Sequence, residues 1–297
     1  MDSTERRSPT GSPHRSPREC RDGVERLPLS SDAVRPAPTR FVILTKSRSG
    51  SKWLVELLDD HEGVSVFGEV FGGPQAPRGY GSSGFPPFDT YLESVRLRRT
   101  QPLAYHRVSY LRKLYASRPD AAAVGFKLAY GHAPRELFAY FARRRVRVLH
   151  LIRANVLDAV LSYDLGRARG NFSVRRGDVV PRVRVTLDPS TLRTRLEDHE
   201  YSIAQARYRI RRCRVPWLEV FYEELVGRRE ETLERVLRFL DVEPRVEGLR
   251  SSFVPVDDVP REDVIENLDD VCRALTGTRF EWMLADPAGA ESPRAAR

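Results

Sequence analysis

Seven residues, Lys46-Ser47-Arg48-Ser49-Gly50-Ser51-Lys52, gather cations and small hydroxyl side chains around one glycine. Such a set suits an oxyanion. Gly50 permits close backbone approach, successive N–H groups can converge on the anion, and the basic side chains supply the opposite charge. The segment is not a Walker A loop, because the first glycine of G-x-x-x-x-G-K-[ST] is missing and Trp53, rather than Ser or Thr, follows Lys52. An ordinary nucleoside-triphosphate kinase is thereby disfavoured.

The elements that must present this loop are legible on both sides of it. Phe41–Leu44 is a short apolar, partly β-branched run, as in a strand buried on both faces of a parallel sheet. Trp53, Leu54, Leu57 and Leu58 recur at helical spacing, with Gly63 at the position of a C-cap, so the loop feeds a helix N-terminus. Val146, Val148, Leu149, Leu151 and Ile152 form a second buried-strand pattern ending at Arg153, and Asn155 is placed to cap a helix carrying Leu157, Val160 and Leu161. Val64–Phe67 reads as a strand running into Gly68-Glu69-Val70-Phe71, whose apolar residues partly desolvate the Glu69 carboxylate. Val124–Leu128 reads as another strand, with Lys127 near the end where α/β sheets place ligands. Trp217–Phe221 continues through Tyr222-Glu223-Glu224-Leu225 into a helix with Leu233, Val236, Leu237, Phe239 and Leu240. Strands alternating with helices predict one α/β unit.

With these segments in order, residues 40 to 285 resemble the sulfotransferases that use 3'-phosphoadenylyl sulfate (PAPS), in particular the bacterial carbohydrate-type branch. The loop of that family that binds the 5'-phosphosulfate reads roughly Pro-Arg/Lys-Ser-Gly-Ser/Thr-Thr-Trp-Leu, against Arg48-Ser49-Gly50-Ser51-Lys52-Trp53-Leu54 here. Ser47 replaces the usual proline, and Lys52 replaces a small hydroxyl residue, exchanging a hydroxyl contact for a charge. The resemblance implies a P-loop-like three-layer fold with a central, mainly parallel sheet flanked by helices. It assigns Arg48, Ser49, Gly50, Ser51, Lys52 and Trp53 to the 5'-phosphosulfate, and Arg153 and Ser162 to the 3'-phosphate. Glu69 takes the place of the general base toward an acceptor hydroxyl, and Arg48 and Lys127 stand where the transferring group and its leaving phosphate need neutralising. The implied reaction is metal-free, in-line sulfuryl transfer from PAPS to a hydroxyl, with sugars and glycoconjugates the leading acceptors.

Two other readings of the same loop are another P-loop phosphotransferase and a non-catalytic nucleotide-binding module. His132, five residues after Lys127, is the rival base. His199 shares a helical stripe with Leu192, Leu196, Ile203, Ala206 and Ile210 and is predicted to pack against the core. The Arg-Lys-Gly signature of eukaryotic cytosolic sulfotransferases is missing, and Arg250-Ser251-Ser252 is a poor stand-in. Gly72–Asp89 and Leu165–Ser190 read as loops able to border an acceptor cleft.

A chain of 297 residues with 40% hydrophobic content can bury a large core. Residues 1–39 carry six prolines and seven basic against six acidic residues, which predicts a disordered tail; residues 286–297 are expected to form a flexible C-terminal one. No stretch is apolar enough for a signal peptide or a membrane span, and Cys20, Cys213 and Cys272 show neither metal spacing nor obvious pairing, so a cytoplasmic protein is expected. The net charge of +9 invites a nucleic-acid partner. Yet only Lys46, Lys52, Lys113 and Lys127 among the 50 basic residues are lysines, a skew that looks like codon bias, and no nucleic-acid-binding motif accompanies it.

Overall fold

A computed structural model describes residues 37–73, 79–95, 101–254 and 259–285. Of the tails expected over 1–39 and 286–297, residues 1–36 and 286–297 lie outside the described residues, and Thr39 already belongs to the first strand.

Five strands form one sheet: β1 (Thr39–Thr45), β2 (Val64–Glu69), β3 (Ala123–Ala129), β4 (Arg147–Ile152) and β5 (Trp217–Phe221). Their order is β2-β3-β1-β4-β5, and all four neighbouring pairs are parallel. The fold is α/β and three-layered, a parallel sheet with helices packed on both faces. Alternate residues of β1 sort to opposite faces, as period two requires. Phe41 and Ile43 pack with Leu54, Leu57 and Leu58 of α1 (Ser51–Asp59) and with Leu233 and Leu237 of α8 (Arg229–Phe239). Val42 and Leu44 face the other way. They pack with Tyr110 and Leu114 of α3 (Leu103–Ala116), Phe141 of α4 (Arg135–Arg144) and Ile210 of α6 (Pro189–Arg212).

A smaller third core joins α5 (Val156–Arg169), α6, α9 (Arg261–Val264), α10 (Leu268–Leu275) and a 3-10 turn at Glu281–Leu284. α2 (Phe88–Ser94), α7 (Tyr222–Gly227) and a second 3-10 turn at Tyr130–His132 complete the described helices.

Two sequence expectations change. Helix α1 stops at Asp59 with Asp60 as its C-cap, so Gly63 is not the cap; its N–H is instead taken by His61 Nδ1 at 3.0 Å. The loop expected from Leu165 begins later, because α5 runs on to Arg169 with Leu165 and Gly166 buried. Among the described residues no helix is long and apolar enough to cross a membrane.

Candidate functional site

The strand order dictates where a site can form. β1 continues to β2 on one side of the sheet while its neighbour β4 continues to β5 on the other, so the connections leaving β1 and β4 diverge at the C-terminal ends of the strands, where α/β sheets open a crevice. The β1–α1 loop, Glu69, Lys127 and Arg153 all lie at that end.

The β1–α1 loop is built from the inside. Ser49 is 2% exposed, and its Oγ donates to the Lys46 carbonyl at 2.8 Å and touches Thr45 Oγ1. Thr45 Oγ1 in turn donates to the Leu151 carbonyl of β4 at 2.9 Å. The Ser49 hydroxyl is therefore a brace for the loop, and its backbone N–H is what remains for a ligand. Arg48 and Gly50 both sit at positive φ, 69° and 75°, a conformation that is strained for arginine and natural for glycine. No side chain caps α1, and the first intrahelical bond runs from Leu54 N–H to the Gly50 carbonyl. The N–H groups of Ser51, Lys52 and Trp53 thus precede the helical ladder.

Cations crowd the mouth of this loop. Burial first, and then the neighbouring Lys127, Arg48 and Arg175, lower Lys52 from its ordinary 10.5 to about 8, with Glu69 opposing them. The Lys52 ammonium lies 5.6 Å above the Tyr80 ring and 5.4 Å from the Phe253 ring, and it donates to Ser173 Oγ. Arg48 donates to Ser162 Oγ from Nε at 3.1 Å and from Nη2 at 2.7 Å, and also to the Phe172 carbonyl. The structure thus brings Ser162 to Arg48 of the first loop. Arg175 is held by Ser252 Oγ at 2.7 Å and the Gly79 carbonyl at 3.1 Å.

Glu69 and Lys127 form an ion pair, Oε2 to Nζ 3.1 Å, with both side chains largely buried. His132 Nδ1 is 3.5 Å from the other carboxylate oxygen and stands in the open, 42% exposed. The two rival bases are therefore neighbours, one shielded and one facing solvent.

Arg153 marks a second cationic position. It is buried, its guanidinium lies 4.7 Å over the Tyr222 ring, and Asp158 Oδ2 is 3.7 Å from Nη2. The same tyrosine adjoins the first loop: a Cβ added to Gly50 would meet Tyr222 Cδ2 at 2.4 Å, and Trp53 packs edge-on against the same ring. One aromatic ring therefore touches both basic segments. The next residue, Glu223, accepts the N–H groups of Ala154 (3.1 Å) and Asn155 (3.0 Å), fixing the turn that carries Arg153. Asn155 caps α5 by accepting the Asp158 N–H at 3.2 Å.

His199 is buried on α6 along with every apolar residue of its predicted stripe. Burial, together with Lys46 and Arg153, lowers it to about 4, so it is neutral at neutral pH and lies near Arg153. Lys46 Nζ reaches Ser202 Oγ of the same helix at 2.9 Å.

Tyr80, Tyr222, Glu223 and Arg175 went unread in the sequence as site residues. Tyr222 and Glu223 had a findable signal in the strand-to-helix joint of Trp217–Leu225, whereas Tyr80 and Arg175 sit in irregular segments with no pattern to mark them.

No protein-family model and no curated protein matches the chain. Among solved structures it is similar to a sulfotransferase from Alicyclobacillus acidocaldarius, at 16% identity over 81% of this chain and 95% of that one, with a TM-score of 0.40. It is also similar to mouse sulfotransferase SULT7A1 complexed with PAP, at 15% identity over 86% and 79% of the two chains, TM-score 0.37. A third similarity is to the sulfotransferase domain of the Synechococcus PCC 7002 olefin synthase, at 12% identity over 89% and 92%, TM-score 0.35.

Proposed function

We propose that this chain transfers a sulfuryl group from PAPS to an acceptor hydroxyl, on a sugar or glycosylated molecule. The observation that carries this reading is that Gly50 and Arg153 both adjoin the Tyr222 ring, which brings two basic segments together at the C-terminal edge of the sheet. An adenosine carrying charge at both its 5' and 3' positions calls for two such segments. The crowding of Lys127, Arg48 and Arg175 around Lys52 also fits, since a bound anion relieves their mutual repulsion.

When bound, PAPS supplies an activated sulfuryl group and a phosphate leaving group. The chain's part is to hold and neutralise. Arg48, Lys52 and the N–H groups of Ser49, Gly50, Ser51 and Trp53 receive the charge that builds on the 5'-phosphate as its bond to sulfur breaks. Arg153, with Ser162 on the following helix, answers the 3'-phosphate. Lys127 offsets charge on the transferring group, and Glu69 accepts the acceptor's hydroxyl proton as its oxygen bonds to sulfur. The free Cys213 and Cys272 suit a reducing, cytoplasmic setting.

A phosphotransferase reading is less well supported. P-loop enzymes of that kind hold Mg2+ through a loop Ser/Thr and an acidic residue at a strand end. Here Trp53 follows the loop lysine, and β3, beside β1, carries Lys127 near its end. Calorimetry with adenosine 3',5'-bisphosphate tests the pocket, and transfer of labelled sulfur from PAPS to a panel of glycans, glycolipids and phenols tests the reaction. Failure to bind the bisphosphate overturns the assignment.

A further inference from the structure

The acceptor is the undefined half of this reaction, and the space beside Glu69 bears on its chemistry. A cavity of about 500 Å3 opens there. His132 forms part of its wall and lies 3.5 Å from Glu69, so one side chain separates the cavity from the carboxylate. Two features define its lining. Phe71, Phe88 and Tyr130 give it ring faces; Phe71 and Phe88 lie 5.0 Å apart, and the Tyr130 hydroxyl is fixed 2.6 Å from buried His150 Nε2, making a stiff wall. Three arginines give it charge: Arg107 from α3, Arg135 at the start of α4 and Arg209 from α6.

No carboxylate lines the cavity among the described residues. Glu136 pairs with Arg107 from outside the lining, and Arg209 Nη1 donates to the Ala133 carbonyl at 3.3 Å, which orients it without neutralising it. Three arginines from three helices on one cavity wall, of which Arg107 is the one ion-paired among the described residues, favour a carboxylate or sulfate over a neutral group.

We infer that this cavity takes a ring-shaped acceptor that is already negatively charged, its ring against Phe71, Phe88 and Tyr130 and its anion on the arginines. The inference rests on Glu69 serving as the base of the sulfuryl transfer proposed above. The acceptor class then narrows from sugars in general to acidic ones: the anionic group anchors the ring, and a neighbouring hydroxyl is left to face Glu69.

The test is a matched pair of probes, 4-nitrophenyl β-D-glucuronide and 4-nitrophenyl β-D-glucoside, which differ at the carboxylate. With the full chain, calorimetric affinity and sulfur-label transfer are expected to favour the glucuronide by about tenfold or more, the size of one charge-assisted contact. Arg135→Ala and Arg209→Ala are each expected to cut that preference several-fold, and Arg135→Lys to restore most of it. Equal affinity for the pair, no measurable binding of the glucuronide, or an unchanged preference in both alanine variants overturns the inference. Bisphosphate calorimetry on the same samples separates the two ideas. Tight bisphosphate binding without glucuronide preference sinks the acceptor class alone, whereas glucuronide preference without bisphosphate binding sinks the donor.

Discussion

Glu69 and Lys127 meet because of a one-residue bulge at Gly68. Phe67 of β2 lies opposite Phe126 of β3, and the next paired residues are Glu69 and Lys127, with Gly68 left over. Side chains alternate along a strand, so without the bulge Glu69 would point to the face of Phe126 and its aromatic neighbours. The extra residue turns the carboxylate toward Lys127, at 3.1 Å.

If Glu69 takes the acceptor's proton, Glu69→Gln keeps the shape and loses the base. Turnover is expected to fall about a hundredfold or more, the usual range for general-base removal, with bisphosphate affinity unchanged by calorimetry. Near-normal turnover would move the role to its neighbour His132.

Arg153→Ala removes the guanidinium over Tyr222 while leaving Asp158 paired with Arg261 at 2.9 Å. Affinity for PAPS is expected to drop roughly ten- to a hundredfold, as for one charge-assisted hydrogen bond. Adenosine 5'-phosphosulfate, lacking the 3'-phosphate, should lose little. Equal losses for both ligands would show that Arg153 only holds the local structure.

Lys52 gives the site a pH dependence. Its folded value of about 8 lies below the ordinary 10.5, so the free protein sheds this charge as pH rises through about 8. Bisphosphate affinity is expected to be full below that point and to weaken above it, with proton uptake on binding near pH 8, read calorimetrically in buffers of different ionisation enthalpy. Lys52→Met should flatten the profile; a slope that persists in this variant contradicts the assignment.

His199 sets an acid limit on stability. A histidine held at about 4 in the folded chain and 6.5 when unfolded binds more protons in the unfolded state between those values. Its contribution is present above 6.5 and is lost as pH falls toward 4. Urea unfolding should weaken across that window in the native protein, and less steeply in His199→Met.

Gly50→Ala tests the link between loop and ring. The residue sits at φ 75°, and its new methyl group would lie 2.4 Å from Tyr222 Cδ2. Left-handed strain and overpacking together predict a loss of about 2 kcal/mol or more in urea unfolding, with weaker bisphosphate binding. Unchanged stability would mean that Tyr222 yields freely.

All five strands were legible from their apolar runs, and the loop from its composition, because these are local signals. What brings residues together across the sheet was not. The bulge at Gly68 leaves no mark in a pattern of four to six residues, so Glu69 and Lys127 read as separate candidates. Nor does the sequence show that Ser162, assigned with Arg153 to the 3'-phosphate, is met by Arg48 across 114 positions. The inward turn of the Ser49 hydroxyl onto Thr45 and the Lys46 carbonyl, which leaves its N–H as the group assigned to the anion, has no local signal either. Tyr222 read only as part of the joint between strand and helix, and that joint is what brings the two basic segments together.

Asp158 is shared between Arg153 and Arg261, and Arg261 also grips the carbonyls of Leu284 and Ala285 while Asn155 grips that of Met283. The start of α5 is thereby latched to a turn more than a hundred residues downstream. On the proposed reading, an anion at Arg153 acts on a side chain that shares Asp158 with that latch, so nucleotide affinity and the order of the distant turn are expected to be coupled.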